Sequence, residues 1–494
     1  MCFMKKKTYF QTLVFSVLLG MGMTSCSDWF DVIPRSSVYE DDLYSNEFGY
    51  QQQLTGLYLG MCDGNLYGRE ASFGLMDVVG GIYYLPKTPN NAYKYALQYN
   101  YEYAGTKSTI TGIWEKAYEV IANANELLRN AGMKQDADVE NTQGLTPSDA
   151  FTSEQTRGII CGEALAVRAY LHLDLLRMFG VNPQADANKP SIPYVTALQK
   201  NVSPQLTTGE ALQKVITDLL QAEALLRETD PIVKGNPLPD DEYYKKMTRP
   251  MHANYYAVCG MLARAYQYGG DDAEAGKWAQ KVIDGKAFSW TKTAALTKGD
   301  FVGTSELVFN LFIRNMKNDV TPYFRYISDN DNEGKLLPMS NALYKLWFNS
   351  ASDKRMKGFI NYKSNYLSQK YVVTADVASD SLSVQHHMPL VRLSEMYYIV
   401  SESLLSASNV SQASDVLNNV RVAKGLVKEN FATADAVRKE IDQEYRREFV
   451  AEGQLFYYAK RRQQPGLIPT QFRLDFVFPL PENEYTYGNR KPNK

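Results

Sequence analysis

Four glutamates, Glu440, Glu444, Glu448 and Glu452, recur at every fourth position near the C-terminus. On a helix this spacing puts them along one face. Two carboxylates can cleave a glycosidic bond when they flank it, but one helix face cannot place a pair on opposite sides of a scissile bond. Four unpaired like charges in a row would also repel. Arg168, Arg177, Arg392 and Arg421 in other helices, with Arg446 and Arg447 beside the glutamates, point instead to an ion-pair network between helices. His386 and His387 are adjacent but have no third ligand at metal-site spacing. His172 and His252 fall in apolar helical segments and read as core residues. No nucleophile elbow, HExxH or phosphate-loop pattern appears, and four histidines in all leave no triad. These residues point to no catalytic group, metal or cofactor.

The residues that could recognise a ligand are tyrosines. The chain has 35 of them against 5 tryptophans. A tyrosine offers an apolar face and a polar tip. Sugars present C–H faces between hydroxyls, so flat rings with amides and amines beside them form a suitable site. The stretch GGIYYLPKTPNNAYKYALQYNYEYAG (80–105) holds seven tyrosines, and its prolines and asparagines make the first half a loop. Tyr83, Tyr84, Asn90, Asn91 and Tyr93 are the candidate contacts here, whereas the tyrosines at 99–103 read as core or strand filling. A second polar, turn-rich stretch, NMKNDVTPYFRYISDND (315–331), adds Tyr323, Phe324 and Tyr326. Trp347 and Trp290 lie in or beside helices and read as core.

The elements that must carry these loops are helical. An i, i+3, i+4, i+7 apolar pattern runs over 110–132 and closes on Gly132. A second helix is expected from Ser153, as N-cap, to Gly180; its apolar residues occupy more than one face, which predicts burial on two sides. A third is expected over 208–226. Two segments, 252–284 and 389–425, read as helix pairs, and 433–462 as a last helix. Ala and Gly alternate with large residues along the pairs, as in tetratricopeptide packing. ELVFNLFI (306–313) is one of few strand-like runs. The expected fold is mainly α, with tetratricopeptide-like helix pairs, long loop excursions and a few short strands.

The chain opens on Lys5–Lys7 and then Tyr9–Leu19, basic before apolar, the order of an export signal. The apolar run is short of the ~20 residues a spanning helix needs. The residues MTSC (23–26) resemble a bacterial lipoprotein signal, in which Cys26 would be acylated and become the mature N-terminus; the alternative is a free or bridged cysteine after an ordinary secretory signal. Residues 1–25 are then the signal peptide and 26–494 one unit, with an N-terminal part (26–230) and a C-terminal part (231–494). Loss of the three lysines takes the formal charge from −2 to about −5, and no basic stripe suggests nucleic acid. Cys62, Cys161 and Cys259 are too widely spaced for a disulfide framework and read as small buried residues.

The order of these features resembles the SusD/RagB family of outer-membrane nutrient-binding lipoproteins. CSDWFDVIPRSSVYEDDLYSNEFGYQQQLTGLYLGM (26–61) is similar to the family's start, and EALAVRAYLHLDLLRMFGVNP (163–183) to its central helix. AQKVID (279–284), VRLSEMYYIVSESL with LNNVRVAKGL, YRREFVAEGQLFYYAKR (445–461) and FPLPENEYTYGN (478–489) follow in the family's order. ESLL stands where Ala-Glu-Ala is usual, and LFYYAKR where Asp-Leu-x-Arg is. The resemblance implies a non-catalytic, lipid-anchored protein on the outer-membrane surface. It would capture oligosaccharides for a SusC-like TonB-dependent transporter, with the ligand surface built from the tyrosine-rich part of the chain. The alternatives are a surface lipoprotein enzyme acting on polysaccharide and a peptide-binding receptor of the same fold.

Overall fold

Helix formers with a small-residue seam dictate how the chain packs. In the computed structural model, residues 43–85, 91–133, 149–151, 153–197, 201–239, 244–245, 248–328, 334–373 and 385–494 are described, and Asn46–Lys494 form one compact unit. The first half contributes α1 (Glu47–Met61), α2 (Ala104–Asn130), α3 (Glu154–Phe179) and α4 (Thr208–Thr229). The second contributes α5 (Tyr255–Gly269), α6 (Asp272–Asp284), α7 (Asn341–Trp347), α8 (Leu393–Ser406), α9 (Val410–Ala423), α10 (Ala434–Glu448) and α11 (Leu455–Arg461). Each packs on the next: α2 on α3, α3 on α4, α4 on α5, α5 on α6, α6 on α8 and α8 on α9. The mainly α, helix-pair architecture expected from the sequence is what the chain adopts.

Helix α3 is the spine. Ser153 accepts from the Thr156 amide and starts it, and nearly every side chain along it is buried. A Cβ on Gly162 would lie 2.7 Å from Leu226 Cγ, so glycine lets α3 and α4 approach closely. Inside this layer Arg249, with no exposed surface, donates to Glu163 at 2.5 Å and to both oxygens of Asp230 at 2.9 and 2.8 Å. His172 is a satisfied core residue: its Nδ1 faces the Arg168 carbonyl at 2.9 Å and its Nε2 accepts from the Val195 amide at 3.0 Å. Burial lowers its imidazole to about 3.

Among the described residues, three antiparallel pairs punctuate the helices. β1 (Pro190–Pro193) pairs with β2 (Gln205–Thr207), β3 (Leu307–Phe312) with β6 (His387–Arg392), and β4 (Phe359–Tyr362) with β5 (Asn365–Ser368). Two boundaries differ from the periodicity. PLVR (389–392) belongs to β6 rather than to a helix, because it joins β3 in a buried ladder. The segment 433–462 is two helices: Ala451 and Gly453 take positive φ of 67° and 72°, and the break lets Lys370 Nζ reach the carbonyls of Glu448 and Val450, both at 2.9 Å.

That break also changes the glutamate ladder. Glu452 leaves the helix, yet all four carboxylates are ion-paired. Glu440 meets Arg421 and Arg447. Glu444 meets Arg355 and Arg447 at 2.9 Å each. Glu448 meets Arg355 at 3.0 Å and Lys424 at 2.8 Å, and Glu452 meets Arg392 and Lys370 at 2.5 Å each. The expected network is present, with Arg355, Lys370 and Lys424 added to it. Arg168 and Arg177 serve Asp218 and Asp174 instead, and Arg446 donates to the Leu467 carbonyl.

Burial pushes the Glu444 carboxyl up, but Arg355 and Arg447 outweigh it and hold it at about 2. Removing one partner of a buried pair strands the other charge, so Glu444→Gln should lower stability by about 3–5 kcal/mol at pH 7. A carboxyl held below its ordinary 4.5 contributes above that value and loses the contribution as the pH falls toward 2. Urea titrations should therefore show the deficit of the variant shrinking between pH 4.5 and 2; a constant deficit would refute the assignment.

Candidate functional site

The turn after α1 is a coil held by its own backbone. Asp63 Oδ1 accepts from the Asn65 amide at 2.8 Å, and the Glu70 amide donates to the Gly64 carbonyl at 3.0 Å. A Cβ on Gly68 would lie 2.2 Å from the Cys62 carbonyl oxygen, so the coil closes only with glycine there. It delivers two residues. Glu70, buried, accepts from Arg69 Nε at 2.6 Å, from the Tyr93 hydroxyl at 3.0 Å and from the Leu75 amide at 3.0 Å. Arg69, half-buried, is clamped by that carboxylate and donates from Nη1 to the Tyr323 hydroxyl at 3.1 Å.

Arg69 and Tyr323 face a cavity of about 560 Å³, bordered also by Asp63, Asn318, Asp319 and Lys335. The volume suits a small ligand. Its two cations are matched by two carboxylates, and Asn318 and Asp319 are exposed on the short helix Met316–Asp319. A second space, of about 50 Å³, lies among Arg355, Arg392, Lys424 and Glu448 and has room for no more than about two waters.

A backbone strap, Leu337–Met339, ties Tyr323 of the cavity to two other segments. The Leu337 amide donates to the Tyr323 carbonyl at 3.0 Å, and the Pro338 carbonyl accepts from the Tyr84 amide at 2.7 Å. Met339 exchanges hydrogen bonds with Tyr366 of β5 at 2.8 and 2.9 Å. Three tyrosine-bearing segments far apart in sequence thus meet on one strap.

The sequence candidates separate into two sets. Tyr84 is 51% exposed and Tyr326 39%, and Tyr323 is half-buried at the cavity. Tyr83 is buried and donates to Asp77 at 3.2 Å. Asn91 is buried and accepts from the Tyr93 amide at 2.9 Å; Tyr93 is buried behind Glu70. Phe324 has no exposed surface, its ring lying 5.1 Å from Phe73 and 5.7 Å from Tyr371. These four are buried and offer no ring or amide at the surface. Asn90, the leader and Cys26 lie outside the described residues. Of the tyrosines read as filling, Tyr99 and Tyr101 are buried but Tyr103 is 43% exposed, stacked on Tyr95 at 3.9 Å. Trp347 is core, while Trp290 is half-buried against Tyr397. Arg69, Asp319 and Lys335 carried no periodic or motif signal.

Among the described residues no group of His, Cys, Asp and Glu could hold a metal, and no helix is long and apolar enough to cross a membrane. His386 and His387 bond the Ile313 carbonyl at 2.8 Å and Asn310 at 2.7 Å. Glu444, Glu448 and Glu452 are buried and ion-paired, out of reach of a substrate.

Residues 28–266 match the SusD-like family described as "Starch-binding associating with outer membrane", and residues 263–467 match the SusD family. The chain belongs to the SusD/RagB family. Its relatives include the SusD-like protein P2 of Formosa agariphila, 22% identical over 275 residues, which make up 56% of this chain and 46% of that protein. Among solved structures it is similar to a SusD superfamily protein from Bacteroides thetaiotaomicron (18% identity, TM-score 0.68, 91% of this chain and 100% of the other). It is also similar to a putative sugar binding protein from Bacteroides vulgatus (19%, 0.68, 91% and 98%). At these identities the likeness to solved structures establishes the SusD fold.

Cys62 borders the cavity, and burial pushes its thiol up to about 12. Because the thiolate is the nucleophile, iodoacetamide at pH 8 should modify the folded protein far more slowly than the unfolded chain; equal rates would place Cys62 differently.

Proposed function

We propose that this SusD-family chain is a surface-exposed glycan-binding lipoprotein. It captures oligosaccharides and delivers them to a SusC-like TonB-dependent transporter, and it does no bond-making chemistry itself. The observation that carries the reading is the cavity at Arg69 and Tyr323, open and lined by matched charges, with the Tyr323 carbonyl tied to the strap that also holds Tyr84 and Tyr366. The family's description as starch-binding and associating with the outer membrane supports it.

The mechanism is capture by a preformed surface. Arg69 is held by Glu70 and Tyr323 before any ligand arrives, so little side-chain freedom is lost on binding. Its donors, with Asn318, Asp319 and Lys335, take sugar hydroxyls, while Tyr323 and Tyr84 offer ring faces to C–H surfaces. Matched charges at the rim suit a neutral glycan better than a strongly charged one. Cys26 carries the lipid that keeps the protein at the membrane; one acyl chain gives only marginal attachment, so stable anchoring takes more than one.

Native gels containing starch, pullulan, arabinoxylan, galactomannan or alginate test this directly. At least one polysaccharide should retard the wild type, and Tyr323→Ala or Arg69→Met should weaken the retardation about tenfold. Tyr83→Ala should lower stability instead, because Tyr83 is buried. Retardation by none of the five, or new reducing ends released from any of them, would overturn the receptor reading. Cys26→Ala should move the protein from the membrane to the soluble fraction in cells lacking the transporter; persistence in the membrane would count against the anchor.

A further inference from the structure

Helices α3, α5, α8, α10 and α11 all contribute side chains to a small cavity of about 20 Å³. That volume admits one water-sized guest and nothing larger. Arg177 of α3, Gln267 and Tyr268 of α5 and Tyr457 of α11 line it, and each is at most 4% exposed. Arg177 Nε, Gln267 Nε2 and the hydroxyls of Tyr268 and Tyr457 find no hydrogen-bond partner among the described residues. A buried donor left unpaired is costly, and folded cores hold few of them. Four on the wall of one cavity call for a common partner.

The other polar groups of the wall are already engaged. Arg264 donates from Nε and Nη2 to the two oxygens of Glu395 at 2.9 and 2.7 Å. Arg461 donates to both oxygens of Glu402 at 2.9 and 2.8 Å. Arg177 spends Nη2 on Asp174 and Nη1 on Gln454 at 3.4 Å. Its guanidinium carbon lies 3.9 Å from the Tyr457 ring centroid, and Nε is its spare donor. The wall therefore carries three guanidinium groups against one carboxylate, that of Glu395.

This chemistry selects the guest. An arginine Nε and an amide nitrogen can only donate, while a phenol can donate or accept. A water could accept from the first two and donate to both phenol oxygens, but the two phenol protons would then lack an acceptor. A monatomic anion accepts from all four groups and needs no acceptor of its own. Burial pushes both phenols well above their ordinary range, so each keeps the proton it would donate. A buried charge is tolerated where opposite charge and donors surround it. We propose that this cavity is a chloride site, and that the bound anion ties α3, α5 and α11 together in the core. The stability of the fold then depends on chloride, independently of what the protein captures at its surface.

Crystals grown in sodium bromide test the site directly: an anomalous difference peak should stand within hydrogen-bond reach of all four donor atoms. Thermal melts in sodium chloride and in sodium gluconate at equal ionic strength test its consequence. Gluconate is too large for the cavity, so the wild type should melt higher in chloride. Tyr268→Phe removes one donor and no hydrogen bond within the protein, so it should fold. Its chloride affinity, read from the concentration dependence of the melting temperature, should fall about tenfold, and Tyr457→Phe should behave alike. No bromide peak in the cavity, or a wild-type melting temperature that does not respond to chloride, would overturn the site. A deficit of both variants that is equal in chloride and in gluconate would mark a water there and overturn it as well.

Discussion

The frame around the candidate site depends on how the buried carboxylates of α10, and that of Glu452 just beyond it, are neutralised. Carboxylates taken out of water are tolerable only when each finds a cation in good geometry, and here the cations come from distant parts of the chain. Arg355 and Lys370 come from either side of a hairpin, Arg392 from the end of β6, and Lys424 from the end of α9. Pairing them fixes where the hairpin leaves the helical body. The ladder that might have suggested hydrolysis is the root of the hairpin.

A second clamp of the same kind operates at the cavity. Glu70 is buried and gathers Arg69, Tyr93 and the Leu75 amide. Buried tyrosines thus act as donors that complete a polar core, and a few others spend their rings on the surface. The large tyrosine content serves both uses, since the same side chain fills a core and keeps a hydroxyl for a buried acceptor. Tyr67 on Asp174, Tyr194 on Asp218 and Tyr398 on Glu444 repeat the pattern.

Much of the framework was legible in the sequence because it is set by short-range periodicity. The Ser153 cap and the 153–180 helix, the pair over 252–284, the strand at 307–312 and the burial of Trp347 follow from spacing and local chemistry. Where long-range pairing intervened, the periodicity misled. PLVR pairs with β3, and the helix over 433–462 breaks where Lys370 and Gly453 need its carbonyls and its turn. At the candidate site, the stretches 80–105 and 315–331 were found from composition, but their residues could not be sorted. Tyr83 and Tyr84 are adjacent and chemically identical, yet one is buried against Asp77 and the other is exposed.

The sequence by itself determined the helical framework, the order of motifs that places the chain in its family and the abundance of tyrosine rings. These follow from patterns within a few tens of residues, where helix geometry and side-chain chemistry act directly. Only the tertiary structure decided which rings are exposed and which are buried, that Arg69 stands beside Tyr323, and that Lys363 lies over Tyr326 and Tyr362. Those placements depend on contacts across up to 254 residues of chain, such as that from Arg69 to Tyr323. No local periodicity encodes the partner of a buried charge; it emerges only when the whole core closes around it.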